Sequence, residues 1–286
     1  MSWQTLISAA ELATLIGRED VLIVDCRADL GDPGKAARDY ASAHLPGAVF
    51  ASVDEDLSDL GKKGLGRHPL PDADAFSRVL GRWGWTAPMQ VVAYDAANGA
   101  LSAARLWWMM RLAGHRDVAV LDGGFAAWTG AGLPLSDVVP QRAWTRVAAQ
   151  FDPSQIVYTG ELLREQANGG LLIDARAAPR YRGEVEPIDP VAGHVPGAIN
   201  RPFAANLLAD GQFKTAEVLR AEFSALIDGH DPGTVMHMCG SGVTACHNLL
   251  AMEHAGIPGS RVYAPSWSGW ISDPAHAVAR ASNAGE

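Results

Sequence analysis

Leu171-Leu172-Ile173-Asp174-Ala175-Arg176 repeats, 149 positions on, the run Leu22-Ile23-Val24-Asp25-Cys26-Arg27. Three further echoes follow in the same order. His44-Leu45-Pro46-Gly47-Ala48-Val49 returns as His194-Val195-Pro196-Gly197-Ala198-Ile199, and Val91-Val92-Ala93-Tyr94-Asp95 as Val235-Met236-His237-Met238-Cys239. Gly124-Phe125-Ala126-Ala127-Trp128 returns as Ser266-Trp267-Ser268-Gly269-Trp270. The offsets drift slowly, through 149, 150, 144 and 142. A drift of that kind marks two copies of one domain that differ by small loop changes.

Within each copy short apolar runs alternate with helical patterns. Val21–Asp25, Gln90–Tyr94 and Val118–Leu121 read as strands of the first copy, with helices over Asp72–Trp83 and Leu101–Leu112. In the second, Leu171–Asp174, Thr234–Met238 and Arg261–Tyr263 read as strands and Thr215–Ile227 and Val243–Ala255 as helices, with Thr159 and Thr215 as N-caps. Such alternation predicts an α/β fold: two similar domains, each a mainly parallel sheet with helices on both faces. Pro134 to Pro153 carries three prolines and little periodicity. The copies are therefore expected over 1–136 and 154–286, with a linker over 137–153.

Ligands of open parallel sheets sit beyond the carboxyl ends of the strands. Cys239 stands at such an end, in Cys239-Gly240-Ser241-Gly242-Val243-Thr244, between an apolar strand and a helix. A cysteine at a strand-to-helix turn faces unpaired backbone N–H groups, and Gly240 and Gly242 let the backbone curl around its sulfur. A nest of amides favours the thiolate, which is the nucleophile. The equivalent residue of the first copy is Asp95, followed by Ala96-Ala97-Asn98-Gly99-Ala100. One copy thus reads as catalytic and the other as support.

The chain has 286 residues and 48% apolar side chains, enough for two cores. A net charge of −9 argues against nucleic acid or an anionic membrane as partner, so an anionic substrate must be held by local cations and amides. Cys26, Cys239 and Cys246 are an odd set without CxxC spacing, which speaks against a disulfide framework or a zinc site and suits a reducing, cytoplasmic setting. Met1-Ser2-Trp3-Gln4-Thr5 does not open a signal peptide, and no segment approaches the roughly 18 apolar residues of a membrane span. No cofactor or metal is expected.

From about Val21 to Trp270 the chain resembles the tandem-domain rhodanese-like sulfurtransferases, the thiosulfate and 3-mercaptopyruvate enzymes. The resemblance rests on Cys239-Gly240-Ser241-Gly242-Val243-Thr244-Ala245-Cys246-His247, Arg105-Leu106-Trp107-Trp108-Met109-Met110-Arg111, Leu121-Asp122-Gly123-Gly124-Phe125 and Ser266-Trp267-Ser268-Gly269-Trp270. It implies a two-step transfer. A small anionic donor passes sulfur to Cys239 as a persulfide, and cyanide, a thiol or thioredoxin removes it; two fused copies also make a monomer the expectation. The loop of the mercaptopyruvate branch is C-G-[ST]-G-V-T, whereas the thiosulfate branch has basic residues after its cysteine; Gly240 and Ser241 are neutral and favour mercaptopyruvate.

The same resemblance implies roles. Cys239 is the nucleophile, Ser241 and Asp54 form a relay with it, and His68 lies near them. Arg180 binds the donor's anionic head, for which a planar guanidinium fork is suited. Gly240, Gly242, Val243 and Thr244 line the loop. A second substrate arginine of the family falls at Ile188 here, which leaves Arg182 as its substitute, and Pro265 stands in a family Asp-Gly-Ser-Trp turn. His44 and His194 occur in both copies and read as structural; His237 reads as a satisfied core histidine, His247 as bonding a loop group, and Cys26, Cys246, Trp107 and Trp108 as core. A cysteine phosphatase would need an arginine six positions after its cysteine, where Ala245 stands. A silent interaction module suits the first copy but not the second with its intact loop.

Overall fold

The computed structural model describes residues 2–29, 31–32 and 34–280. Positions 1, 30, 33 and 281–286, which fall within the two expected domain ranges, lie outside the described residues. The chain divides into two compact units. One comprises the residues up to Asp59 with Leu70–Pro153 and Ala209–Phe213; the other comprises Leu60–Pro69, Ser154–Leu208 and the residues from Lys214 on.

Both units have the same topology. In the first, β1 (Leu6–Ile7), β2 (Val21–Asp25), β3 (Val49–Phe50), β4 (Gln90–Tyr94) and β5 (Val118–Leu121) form a wholly parallel sheet in the order β1-β5-β4-β2-β3. In the second, β6 (Ile156–Val157), β7 (Leu171–Asp174), β8 (Ile199–Asn200), β9 (Val235–Met238) and β10 (Arg261–Tyr263) repeat it as β6-β10-β9-β7-β8. The central strands β4 and β9 are buried throughout, which is why they read as mainly apolar runs, interrupted only by Gln90 and His237. Helices α1 (Ala9–Ala13), α2 (Lys35–Ser42), α3 (Ala73–Arg82), α4 (Ala103–Leu112) and α5 (Gly124–Gly130) flank the first sheet. The second is flanked by α6 (Thr159–Ala167), α7 (Ala178–Arg182), α8 (Ala216–Ile227), α9 (Ala245–His254) and α10 (Ser266–Trp270). One core gathers Leu12, Ile23, Val92, Tyr94 and Trp128; the other gathers Val157, Leu172, Met236, Met238 and Trp267. Trp107, Trp108, Cys26 and Cys246 are buried as expected. Residues 137–153 carry little regular structure and lie along the first unit, where Thr145 donates to Gly81 O and Ala149 to Ser77 Oγ.

The echoed motifs meet in space. Arg27 forks onto Asp25 at 2.7–3.0 Å, donates to Ala43 O at 2.7 Å and stacks over Phe125 at 4.4 Å. Arg176 forks onto Asp174 at 2.7–3.2 Å, donates to Gly193 O at 2.8 Å and stacks over Trp267 at 4.8 Å. Each Asp-x-Arg thus ties a strand end to the segment before His-x-Pro-Gly and to the first aromatic of the last helix. His44 Nδ1 meets Tyr40 O at 2.7 Å and His194 Nδ1 meets Tyr181 O at 2.8 Å, the structural bonds expected of this pair.

Some expectations need correction. Helix α9 begins at Ala245, not Val243, because the chain is still turning through Gly242 at φ +79°. Thr159 opens α6 rather than capping it; Tyr158 holds the cap position and the Thr159 hydroxyl lies 2.9 Å from the Tyr263 hydroxyl. Thr215 does cap α8, accepting from Val218 N. Strands β1, β3, β6 and β8 have two residues each, too short to show a period. His237 is only half satisfied: Nε2 meets Ser260 Oγ at 3.1 Å while Nδ1 has no partner.

Removing one member of a buried ion pair strands the other. Asp174→Ala is expected to cost about 3–5 kcal/mol in urea denaturation, against less than about 1 kcal/mol for Asp20→Ala, whose pair with Arg18 is exposed. Burial also pushes the His237 pKa down from 6.5 to about 3. Between those values the unfolded chain takes up a proton that the folded chain refuses, so stability is complete above pH 6.5 and falls towards pH 3. His237→Asn should flatten that part of the stability–pH curve, and an unchanged slope would count against it.

Candidate functional site

Cys239 directly follows β9, at the carboxyl end of the central strand of its sheet, and is 3% exposed. Its loop is fastened to the start of α10. Cys239 N donates to Ser266 Oγ (3.2 Å), Trp267 N to Cys239 O (3.0 Å) and Ser268 N to Gly240 O (2.9 Å). Ser266 sits at φ +52°, a left-handed conformation that glycine adopts more readily. Its counterpart in the first unit is Gly124, at φ +58°. A serine bears the strain here because its hydroxyl accepts from the nucleophile's own amide.

The first unit shows what such a loop binds. The Asp95 carboxylate, wholly buried, accepts from the amides of Ala97, Gly99, Leu101, Ser102 and Ala103 at 2.8–3.1 Å. The equivalent loop in the second unit carries Cys239 in place of that carboxylate. Among the described residues, the amides of Ser241, Val243 and Thr244 donate to no acceptor in the chain. A strand end with loop amides that take no other acceptor, and a sulfur at the position of that carboxylate, is an arrangement able to hold a thiolate or a persulfide anion.

Ser241, two residues on, lies with its Oγ 2.7 Å from His68 Nδ1, and both are buried. His68 comes from Leu60–Pro69, the segment that packs within the second unit. Its neighbour Arg67 donates its amide to Ser268 Oγ at 3.0 Å, which anchors the segment to the frame that holds the loop. Arg180, from α7, donates to both oxygens of Glu186 at 2.6 and 3.1 Å and to Asp189 at 3.2 Å. Burial raises the Glu186 pKa, but bonds from Arg180 and from the amides of Asp189 and Ile188 outweigh it and hold the carboxyl below its ordinary range.

The fold therefore gathers Cys239, Gly240, Ser241, Gly242, Val243, Thr244, His68 and Arg180. Arg182 is not among them: its guanidinium forks onto Glu184 at 2.6 and 2.9 Å, half exposed at the surface. Asp54 lies half-buried in the turn after β3 of the first unit, where Asp56 is the residue that accepts from Ser52 N and pairs with Arg82. His247 Nδ1 lies 3.2 Å from Asn206 Nδ2, in the short helical turn Phe203–Asn206. The residue sequence reading missed is Arg67. Its place beside His68 in Gly66-Arg67-His68 was the available signal, and its nearness to Gly240 was not.

Asp95→Asn leaves an amide group that can accept on one atom only, facing five buried or part-buried donors. A loss of about 3 kcal/mol or more in chemical denaturation is expected; a loss within about 0.5 kcal/mol, typical of a surface change, would refute the reading of this loop.

A profile of the rhodanese-like domain matches residues 8–131 and again 159–273. A Pseudomonas aeruginosa protein named as a probable 3-mercaptopyruvate sulfurtransferase is 48% identical over 282 residues, 98% of this chain and 99% of its own. A Mycobacterium tuberculosis protein provisionally named thiosulfate sulfurtransferase is 42% identical over 286 residues, 97% of each chain. The solved 3-mercaptopyruvate sulfurtransferase from Leishmania major superposes with a TM-score of 0.83 at 30% identity, over 95% of this chain and 76% of that one. Among the described residues no helix is long and apolar enough to cross a membrane.

Proposed function

The chain belongs to the rhodanese-like family and is a sulfurtransferase, and from that premise we propose that it moves sulfur from 3-mercaptopyruvate through a persulfide on Cys239 to a thiophilic acceptor. The observation that carries this reading is the Ser241–His68 contact of 2.7 Å beside Cys239. A proton relay next to the nucleophile serves a donor whose leaving group must be protonated on carbon. Thiosulfate, which leaves as sulfite, has no such need.

The steps balance as follows. The Cys239 thiolate attacks the donor's thiol sulfur; the S–S bond forms as the C–S bond breaks, and the bonding pair leaves as the enolate of pyruvate. The donor's thiol proton reaches the enolate carbon by way of Ser241 and His68, giving pyruvate and a persulfide anion. A thiolate acceptor then attacks the outer sulfur and regenerates the Cys239 thiolate. Splitting the transfer into two displacements lowers each barrier. The loop amides hold the charge at every stage, and Gly240, Gly242, Val243 and Thr244 shape that cradle. Arg180 orients the donor's carboxylate. Asp54 is assigned a catalytic part through the family likeness alone. We place the enzyme in the cytoplasm as a monomer, with a cellular thiol or thioredoxin as acceptor; its three cysteines are buried and in no disulfide among the described residues.

Thiosulfate is the second reading. The neutral Gly240-Ser241 pair disfavours it, but Arg67, paired with Asp189, brings to Gly240 a guanidinium that the sequence did not promise there. Intact-mass measurement should show a gain of one sulfur atom after mercaptopyruvate is added, absent in Cys239→Ser. Ser241→Ala should lower kcat/KM for mercaptopyruvate by roughly 100-fold, in the range of a lost general acid–base group, with little change for thiosulfate. Equal losses for the two donors would refute the relay, and a larger specificity constant for thiosulfate in the unaltered enzyme would reverse the ranking of donors.

A further inference from the structure

The linker walls a cavity on the first unit that the sulfur chemistry does not use. Its volume is about 620 Å³, within the roughly 300–1,000 Å³ typical of small-molecule sites. It lies at the amino ends of β2, β3 and β4, between the turns that lead into those strands and residues 140–145 of the linker. Asp95 marks the opposite, carboxyl end of the same sheet. The linker is pinned in place here. Thr145 donates its amide to Gly81 O at 3.1 Å and its hydroxyl to Trp85 O at 2.6 Å. A Cβ on Gly84, which turns at φ +67°, would stand 2.9 Å from Arg142 Cβ and 3.0 Å from Ala143 O, so glycine is what lets the linker lie this close. The floor is aliphatic, formed by Leu15, Val21, Ile23 and Met89. Among the described residues no aromatic side chain lines the cavity. The second unit closes the matching turn. There Gln166, from α6, donates to Pro196 O at 2.9 Å and lies 3.3 Å from where a Cβ on Gly197 would be. In the first unit α1 has five residues where α6 has nine. No donor among the described residues meets Pro46 O, and a Cβ on Gly47 would meet nothing within 4 Å. The fold does not require this space; the first unit keeps it open.

Arg142 stands half-buried in the linker wall. Its one partner among the described residues is Val21 O, 3.2 Å from Nη2. A guanidinium carries five N–H donors, so one carbonyl leaves most of them to a ligand or to water. Burial holds the Arg142 pKa below its ordinary range, with no carboxylate in contact to offset it. The other charged groups on the cavity do not serve it. Arg18 forks onto Asp20 at 2.9 and 2.6 Å, and Glu19 is exposed and makes no ion pair with Arg142. We propose that this cavity binds an aliphatic monocarboxylate, its head forked by Arg142 and its chain laid over Leu15, Val21 and Ile23. One uncompensated guanidinium suits a single planar charge, which it meets through paired N–H bonds. An aliphatic floor gains from a flexible chain by removing its methylenes from water. The site stands on the first unit's own residues and does not depend on the identity of the sulfur donor.

The test titrates sodium octanoate into the whole chain by calorimetry, with hexanoate and octylamine as comparisons. It is repeated on Arg142→Gln and Arg142→Lys, each checked for an unaltered melting profile. Octanoate should bind at one site, roughly tenfold tighter than hexanoate, the effect of two more buried methylenes. Octylamine, with the same chain and the opposite charge, should bind at least about tenfold more weakly than octanoate. Arg142→Gln should weaken octanoate by about tenfold or more, the scale of a lost charge-assisted bond, and Arg142→Lys should recover part of that loss. In methyl-labelled protein, octanoate should shift the signals of Leu15, Val21 and Ile23. That measurement uses the unaltered chain and decides the matter even if Arg142→Gln does not fold. No binding of octanoate at millimolar concentration would overturn the proposal. So would octylamine binding as tightly as octanoate, or an affinity left unmoved by Arg142→Gln. Methyl shifts confined to the second unit would place the anion at the sulfur-transfer site and overturn it as well.

Discussion

The loop that leaves the central strand of each sheet presents a row of amide hydrogens that the sheet has not paired and the next helix has not yet taken up. Buried donors of this kind must meet an acceptor, and the nearest position is the first residue after the strand. In the first unit that residue is Asp95, whose carboxylate takes five of them and closes the loop on itself. In the second it is Cys239, whose sulfur is able to carry a charge, lose it to a reaction partner and recover it. The two loops differ in the side chain built in at that place, a carboxylate in one and a thiol in the other.

Everything around that loop keeps it rigid. The buried Asp-x-Arg forks join the neighbouring strand to the His-x-Pro-Gly segment and to the aromatic residue at the start of the last helix. That helix start in turn holds Cys239 and Gly240 by three hydrogen bonds. A thiolate held by fixed dipoles needs no reorganisation of its surroundings when the charge moves to the outer sulfur of a persulfide. The left-handed Ser266 belongs to the same device: the strain of one residue secures the amide of the nucleophile.

Charge around the site follows from local pairing and not from the molecule as a whole. The chain carries −9 overall, yet two arginines stand over Gly240. Their charges are balanced by Asp189 and Glu186, so the site offers directed N–H groups and little excess field.

The amino-acid sequence by itself determined the duplication, the parallel sheets and the place of Cys239 at the end of a central strand. Apolar runs of four or five residues, glycines flanking a sulfur, and motifs echoed at nearly constant offsets are local properties, and local properties are written in order along the chain. The two-residue edge strands were illegible because two residues show no period. Thr159 looked like a cap but its hydroxyl pairs with Tyr263, a partner more than a hundred positions away. Arg182 looked like a second substrate cation on spacing alone, yet it turns to Glu184. Arg67, some 170 positions before Cys239, comes to Gly240 only because residues 60–69 fold into the second unit. Tertiary structure decided Thr159 and Arg67, since the partner of such a side chain depends on where the backbone returns, and that is set by the packing of the whole unit.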